Sequence, residues 1–489
     1  MAIERVAIIG AGIGGLATAL ALKRSEREIV IVERDPEPPD VAPGAAFDVW
    51  QRPGVPQFRH AHILLARVHT VLRDHHPELL SELREAGIEV SRLEQVLPPA
   101  HQDSYKPQPG DDDLLHLWGR RPTFEYVVRK HVGRLPRVRF VHSAKVTGFL
   151  ADSSAQKLHV RGLELTRAGR PETLEADLVV DASGKATKSP EWLAALGVKT
   201  EIVNKPSRFV YACRHYRLKD PNTRLSRLNG GGNLDYLGYA TFYAEHGNYA
   251  LTFGCPVDEK ELAETIRRTE GFEALCARFP ALEQWTRQSE ARTKVLGAGR
   301  FENRWIRYGA RGGRELVGFF PVGDSQLETN PMYGRGCAAA FVQGQLLAEV
   351  LDQESDPLQR ASRYHERSRE LLNHFFELSV DTDRLYHMRA RRSRGQPLSV
   401  PERILNWAYE SAWLPALNAS PLVAREFVRA MQMREVSGLA VRLAVGFELM
   451  RALVRGWFKK DVPPQLLGAP PRSEFLRSLP PHTPSAALE

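Results

Sequence analysis

The chain has 489 residues, 43% of them hydrophobic, which is ordinary for a globular protein and enough for two or three domains or one large layered enzyme. Its four cysteines, Cys213, Cys255, Cys276 and Cys337, are widely spread with no CxxC pair, which argues against a disulfide framework or a zinc site and fits a reducing, cytoplasmic setting. The formal charge of +8 is concentrated in Arg384 to Lys460, with 14 Lys and Arg against five Asp and Glu; aromatic-interleaved basic modules are absent there, so no nucleic-acid partner is expected.

The N-terminus runs straight into an apolar stretch, Val6 to Ile9, without the pattern of a secretion signal. That stretch meets Gly10, Gly12, Gly14 and Gly15, then helix-period residues from Leu16 to Leu22, then a second apolar run, Ile29 to Val32, closed by Glu33 and Arg34. The pattern predicts strand, turn, helix and parallel strand. Gly10 allows the tight turn, Gly12 lets the backbone approach a pyrophosphate, and Gly15 lets the helix lie close on the strand, with its first N–H groups facing the phosphate. Glu33 stands 18 positions beyond Gly15, where a carboxylate suits the two hydroxyls of an adenosine ribose. Dinucleotide binding is the expectation.

Pro36, Pro38, Pro39 and Pro43 mark an extended loop, after which Ile63 to Leu83 reads as one or two helices interrupted at Pro77. His60, His62, His75 and His76 lack a following carboxylate motif, so they read as polar-pocket or solvated residues and not as metal ligands. Pro122 sits near a helix start, with Phe124, Val127 and Val128 at core spacing. Two alternating runs follow, then Leu178 to Val180 as a buried strand ending at Asp181, a second strand-to-glycine turn aimed at the cofactor.

From about Pro190 to Arg300, aromatic and β-branched runs at Arg208–Arg217, Tyr236–Glu245 and Asn248–Cys255 predict an inserted antiparallel sheet, with a turn at Asn229–Asn233 and one helix over about Glu259–Arg278. The first pattern then returns: a strand over Leu316–Phe320, a turn at Gly323-Asp324, a tight approach at Gly334-Arg335-Gly336 and a helix from Cys337 to Leu351. From Pro357 the pattern is helical. In Val436–Phe458, Leu439, Leu443, Phe447, Met450, Val454 and Trp457 recur at helical spacing beside Arg442, Arg451 and Arg455. The expectation is an apolar face packed on the body; a basic amphipathic helix that lies on a membrane or admits an apolar substrate is the other reading. Seven prolines after Asp461 predict a loosely ordered tail, and no uncharged apolar run reaches the ~18 residues of a membrane helix.

Three segments, GAGIGGL with Glu33-Arg34, VVDASGKATKSP and PVGDSQLETNPMYGRG, resemble those of the FAD-dependent monooxygenase superfamily built on the aromatic-hydroxylase fold. RPGVPQFRHAH, RRPTFEYVVR, DASG with SPEWL, and FVYACRHY further resemble bacterial flavin epoxidases of polyether-polyketide biosynthesis. The resemblance covers about Val6 to Leu351. It implies an α/β fold: a Rossmann-like FAD-binding domain in two parts (1–190 and 301–356), an antiparallel-sheet substrate domain (191–300), a helical C-terminal region (357–461) and a Pro-rich tail (462–489). In cofactor binding it implies that Gly10, Gly12, Gly14 and Gly15 hold the pyrophosphate and Glu33 with Arg34 the adenosine end. Arg52, Arg121, Val146, Asp181 and Ala182 would line the middle, Asp324 the ribityl chain, and Pro331, Gly334 and Gly336 the flavin ring, where a helix N-terminus stabilises an anionic ring.

The activity implied is transfer of one oxygen atom from O₂, through a flavin C4a-hydroperoxide, to an apolar natural-product substrate, with NAD(P)H or a separate flavin reductase as electron source. No catalytic side chain is assigned. Phe209, Tyr211, Tyr236, Tyr239, Phe242 and Tyr243 are candidate walls of the substrate pocket, although core packing explains aromatics in a sheet equally well. Cys337, beside Gly336, has the position for a lowered pKa or a covalent flavin link, but a packing role is expected of it. The rival readings are a flavin reductase of isoprenoid double bonds, a flavin halogenase (whose tryptophan-rich motif is absent) and a flavin-binding protein without turnover.

Overall fold

The computed structural model describes residues 3–23, 26–227, 230–309, 314–434, 437–458 and 470–479. Strand β1 (Arg5–Ile9) leads through helix α1 (Ile13–Leu22) to β2 (Glu28–Val32), which pairs with it in parallel. After a long excursion that includes helices Ala66–His75 and Pro77–Glu85, helix α2 (Arg121–Gly133) delivers β3 (Val138–Val141) beside β2. An antiparallel layer of Ala144–Ser153, Lys157–Arg167 and Arg170–Glu175 follows, and then β4 (Leu178–Asp181) pairs with the other side of β1. Every residue of β4, and all but the first of β1 and β2, is buried, because helices and the antiparallel layer cover both faces. This explains the continuous apolar runs in the sequence.

The inserted sheet is built on β5 (Phe209–Leu218), β6 (Gly238–Tyr243) and β7 (Asn248–Pro256), with β7 between the other two. Residues Gly231–Asn233, expected as a turn, form an edge strand on β6; Asn229 lies outside the described residues. The single helix expected over Glu259–Arg278 is instead two, Lys260–Thr265 and Thr269–Cys276, followed by a third, Pro280–Arg287. The break is enforced at Arg268, whose backbone is extended, and by the close approach of Gly271 to the Thr265 carbonyl, where a Cβ would sit at 2.5 Å.

On its return the chain forms β8 (Phe319–Pro321), which joins β4 and completes the parallel order β8-β4-β1-β2-β3. The strand expected over Leu316–Phe320 is split: Glu315–Val317 pairs with Lys157–Arg167, and Gly318, at φ +75 with a Cβ position 2.2 Å from the Val160 carbonyl, turns the chain into β8. Helix α3 (Arg335–Gln353) then crosses α1 so closely that a Cβ on Gly344 would lie 3.1 Å from the Ala17 carbonyl. Helix α4 (Pro357–Ser393) starts with Pro357 in its first turn and Asp356 as N-cap, accepting from Gln359 N at 2.8 Å.

The remaining helices are α5 (Val400–Ala408), which passes through a π-helical turn at Tyr409–Trp413 into Leu414–Ala419, then α6 (Pro421–Met431) and α7 (Leu439–Phe458). Helix α7 does pack an apolar face on the body, but not through the residues expected. Its inner face is Val445, Leu449 and Ala452, set against Ala416, Leu417 and Val428, while Leu439, Leu443, Phe447, Met450 and Val454 are exposed. Val436 and the side chain of Trp457 lie outside the described residues. Within the expected tail, Arg472–Arg477 is a short helix whose buried Phe475 packs on Tyr236 and Phe279; residues 461–469 and 480–489 lie outside the described residues.

Candidate functional site

The turn after β1 sets the geometry. Gly10 has φ +95, and a Cβ there would lie 2.8 Å from the Ala182 carbonyl; on Gly15 it would lie 1.9 Å from the Gly10 carbonyl. These glycines let α1 close on the sheet. At Gly12, in contrast, nothing beyond its chain neighbours lies within 4 Å of a Cβ position, because the residue opens on a cavity of 2460 Å³. Helix α1 starts there with no side-chain cap and no acidic residue in its first turn, so its first N–H groups are free to meet an anion. Helix α3 opens onto the same cavity in the same uncapped way, through Gly334, Arg335, Gly336 and Cys337.

Between these two helix ends the cavity is lined by Gly10, Gly12, Gly14, Glu33, Arg34, Arg52, Arg121, Val146, Ala182, Asp324, Pro331, Gly334 and Gly336. Gly15 and Asp181 do not line it. Gly15 is buried within α1, where that helix lies against the Gly10 carbonyl, so its part is helix packing. Asp181 is fully buried and holds the following loop, accepting from Ser183 N at 2.9 Å and from the hydroxyls of Ser183, Thr187 and Ser189. Ala182, Ser183 and Gly184 present the backbone of that loop to the cavity instead.

At the β2 end, Glu33 accepts from Ala11 N at 2.9 Å and Asp35 N at 3.0 Å and is ion-paired to Arg52. Arg52 also pairs with Asp35 and Glu125, and donates to the Ala11 carbonyl at 3.2 Å, so its guanidinium shapes the site from within the protein. Arg34 is exposed at the rim and donates to the Gly54 carbonyl. Arg121 bridges Glu125 and His62, whose Nε2 is 3.1 Å away, while His62 Nδ1 is 2.8 Å from the His60 carbonyl. That pattern fits a neutral imidazole with its proton on Nδ1. Burial, reinforced by the Arg121 charge, pushes His62 down to about 3.

His116, buried at 2% exposure, is likewise pushed by burial to about 3. A base depressed from 6.5 contributes stability that is present above about pH 6.5 and lost as pH falls toward 3, because only the unfolded state takes up the proton in that window. Stepped-pH thermal melting is therefore expected to show a falling midpoint below pH 6.5, and His116→Gln to flatten the fall. An unchanged slope would remove His116 from this account.

The carboxylate of Asp324, between β8 and α3, accepts no hydrogen bond among the described residues and faces the cavity; only its backbone carbonyl accepts, from Arg304 Nη2 at 3.5 Å. Burial raises its carboxyl above the ordinary range, against the opposing pull of Arg121, Arg304 and Lys185. Cys337 also faces the cavity, but burial pushes its thiol up to about 11, so the helix N-terminus leaves it protonated at neutral pH.

Beyond the Pro331–Gly336 loop the cavity widens against the inserted sheet. Tyr211, Tyr239 and Phe242 line it, with Tyr211 stacked on Phe301 at 4.9 Å. Burial pushes the Tyr239 phenol up to about 12. Phe209, on the same face of β5 as Tyr211, is covered by Tyr386 and His387 of α4 and does not line the cavity. Tyr236 and Tyr243 pack behind the sheet in its hydrophobic core. The far wall was not legible in the sequence: Leu378, Thr382 and Leu385 of α4, Tyr409 and Trp413 after α5, and Val445 and Leu449 of α7.

The loop facing this widening is held from behind. Asp383 of α4, buried, accepts from Asn303 Nδ2 at 2.7 Å, Asn330 Nδ2 at 2.8 Å and the Tyr333 hydroxyl at 2.5 Å, while Asn330 Oδ1 accepts from Met332 N.

Residues 5–312 match the model of the FAD dependent oxidoreductase family (DAO), more than half of the chain. The chain belongs to the FAD dependent oxidoreductases. It is 26% identical to Protein Rv3254 of Mycobacterium tuberculosis over 381 residues, covering 71% of this chain and 73% of that protein. The fold is similar to that of the flavin-dependent brominase Bmp2 (TM-score 0.59, 15% identity, 94% of this chain and 100% of that one). It is also similar to p-nitrophenol 4-monooxygenase PnpA of Pseudomonas putida DLL-E4 (0.58, 16%, 89% and 99%) and to PqsL of Pseudomonas aeruginosa, a probable FAD-dependent monooxygenase (0.56, 16%, 80% and 96%). At those identities the likeness concerns the fold. The residues present fit FAD: an open cradle at Gly12, an unpartnered Asp324 carboxylate and two uncapped helix ends on one cavity. Small-molecule sites span about 300–1,000 Å³, so 2460 Å³ leaves room for a dinucleotide and a second molecule. Among the described residues no helix is long and apolar enough to cross a membrane.

Proposed function

We propose that this oxidoreductase is an FAD-dependent monooxygenase that transfers one oxygen atom from O₂ to an apolar, electron-rich natural-product substrate, by epoxidation or hydroxylation. The observation that carries the reading is the continuity of the cavity: the phosphate cradle at Gly12, the loop Pro331–Gly336 and an apolar chamber open into one another with no wall between. FAD, when bound, supplies the redox and oxygen chemistry. The chain's own residues then have three tasks.

Gly12 and the first turn of α1 bind the anionic end, with Asp324 positioned to accept from hydroxyls of the cofactor chain. The first turn of α3 faces the ring-binding region and stabilises negative charge there. Tyr211, Phe242, Met332, Leu385 and Trp413 surround the second molecule and exclude water, so that the reactive oxygen meets the substrate instead of solvent. Reducing equivalents come from NAD(P)H or from a partner flavin reductase.

The test is product mass. FAD-loaded protein, reduced photochemically, is mixed with isotope-labelled O₂ and a panel of apolar alkenes and electron-rich arenes. A product heavier by one labelled oxygen is expected. A product heavier by two hydrogens, formed without O₂, would replace this reading with a double-bond reductase, and halide incorporation would replace it with a halogenase.

A further inference from the structure

We propose that the outer face of α7 docks on an anionic phospholipid bilayer. The face is a continuous stripe of Leu439, Leu443, Phe447, Met450 and Val454, with Leu439 71% and Phe447 67% exposed. A helix normally turns such a stripe inward, and α7 does bury an apolar face, through Val445, Leu449 and Ala452. It therefore has two, and the protein covers only one.

Charge names the partner. At about 3.6 residues per turn, Arg451 and Arg455 fall on one flank of the stripe and Arg442 on the other. Among the described residues Arg442 and Arg455 make no ion pair, and Lys459 and Lys460 follow the helix in sequence. The one acidic residue of the helix, Glu448, is half-buried and paired with Arg451 at 3.1 Å. An apolar stripe flanked by basic side chains is the chemistry of a helix lying in a bilayer interface, its apolar residues among the acyl chains and its arginines at anionic headgroups. Helix α5, which runs into the turn that α7 packs on, repeats the pattern: Val400, Ile404 and Trp407 are exposed at helical spacing beside exposed Arg403. A second copy of the chain fits the face less well, because two-fold pairing through the stripe would set arginines against arginines.

Continuity with the cavity gives the docking a use. The inner side of these helices, at Leu405, Tyr409, Trp413, Val445 and Leu449, is the far wall of the cavity. Leu405 of α5 lines it while remaining 52% exposed, so the lining of the apolar chamber reaches solvent on α5, beside the exposed Ile404. A substrate dissolved in lipid would enter there. This deepens the apolar-substrate reading, but docking is measured without substrate or turnover, so the two stand or fall separately.

The experiment is flotation of the full FAD-loaded chain with vesicles of three parts phosphatidylcholine to one part phosphatidylglycerol, or of phosphatidylcholine alone. Wild type is expected to float with the mixed vesicles and, at least about fivefold less, with the neutral ones. Phe447→Glu with Met450→Glu, both at solvent-facing positions, is expected to cut flotation about tenfold or more at unchanged flavin content and melting temperature. Arg442→Glu with Arg455→Glu should lose the phosphatidylglycerol-dependent part alone. The proposal is overturned if wild type does not float, if the Phe447/Met450 variant floats as wild type does, or if that variant converts a wild-type dimer to a monomer on size exclusion, which would assign the face to a second copy.

Discussion

Gly12→Asp is expected to leave the apoprotein folded and to weaken FAD binding by at least about a hundredfold, close to 3 kcal/mol. The two halves of that outcome have the same origin. Gly12 is the N-cap of α1, with an extended backbone at φ −82 that any residue adopts, and apart from its chain neighbours no protein atom lies within 4 Å of its Cβ position. Asp is a slightly better N-cap than Gly, and its carboxylate sits favourably at the helix N-terminus, so the apoprotein should melt at or slightly above the wild-type temperature. The same carboxylate then fills the space, and takes the N–H groups, that an anionic pyrophosphate needs. Gly15→Ala is the contrasting variant: its Cβ would meet the Gly10 carbonyl at 1.9 Å, so fold and flavin should be lost together. Flavin titration with parallel melting curves separates the cases. Gly12→Asp with wild-type affinity would move the pyrophosphate away from this helix.

The strand-turn-helix geometry around Gly12 was legible because its demands are local. Gly10, Gly12, Gly15 and Glu33 lie in one strand-helix-strand unit, where the tight turn, the close helix and the terminal acid each dictate a residue type at a fixed offset. The substrate side was legible only as a class. Period two puts Phe209 and Tyr211 on one face of β5, but whether a side chain there meets a ligand or another helix depends on α4, more than 150 residues away, which covers Phe209 and leaves Tyr211 open. In α7 the helix was legible but not its packed face: with Val445 and Leu449 on one side and Leu443 and Phe447 on the other, apolar spacing alone does not say which side meets the body. Asp181 shows the converse error, since a carboxylate at the end of a core strand has the position of a cofactor ligand but spends its acceptors on Ser183, Thr187 and Ser189.

Asp383→Ala should be among the most damaging substitutions outside the cradle, although Asp383 does not line the cavity. Its carboxylate ties three segments distant in sequence, through Asn303, through Asn330 and Tyr333, and through α4 itself. Removing it leaves two amide N–H groups and a hydroxyl buried without an acceptor, and each such loss costs about 1–3 kcal/mol. Allowing for partial relaxation, a destabilisation of about 3–5 kcal/mol is expected. Asp383→Asn keeps the shape and one acceptor oxygen, so it should fall between the Ala variant and wild type. Tyr333→Phe removes a single donor and leaves the carboxylate two partners, so about 1 kcal/mol is expected. The flavin reports the same order. Asn330 fixes the loop through Met332 N, and on the proposed reading, in which Pro331 to Gly336 face the flavin ring, a loosened loop lowers FAD affinity along with stability across the series. Urea unfolding of the apoproteins and flavin titration of the same variants give both orders; if Asp383→Ala matched wild type in both, the loop would be holding its shape without α4.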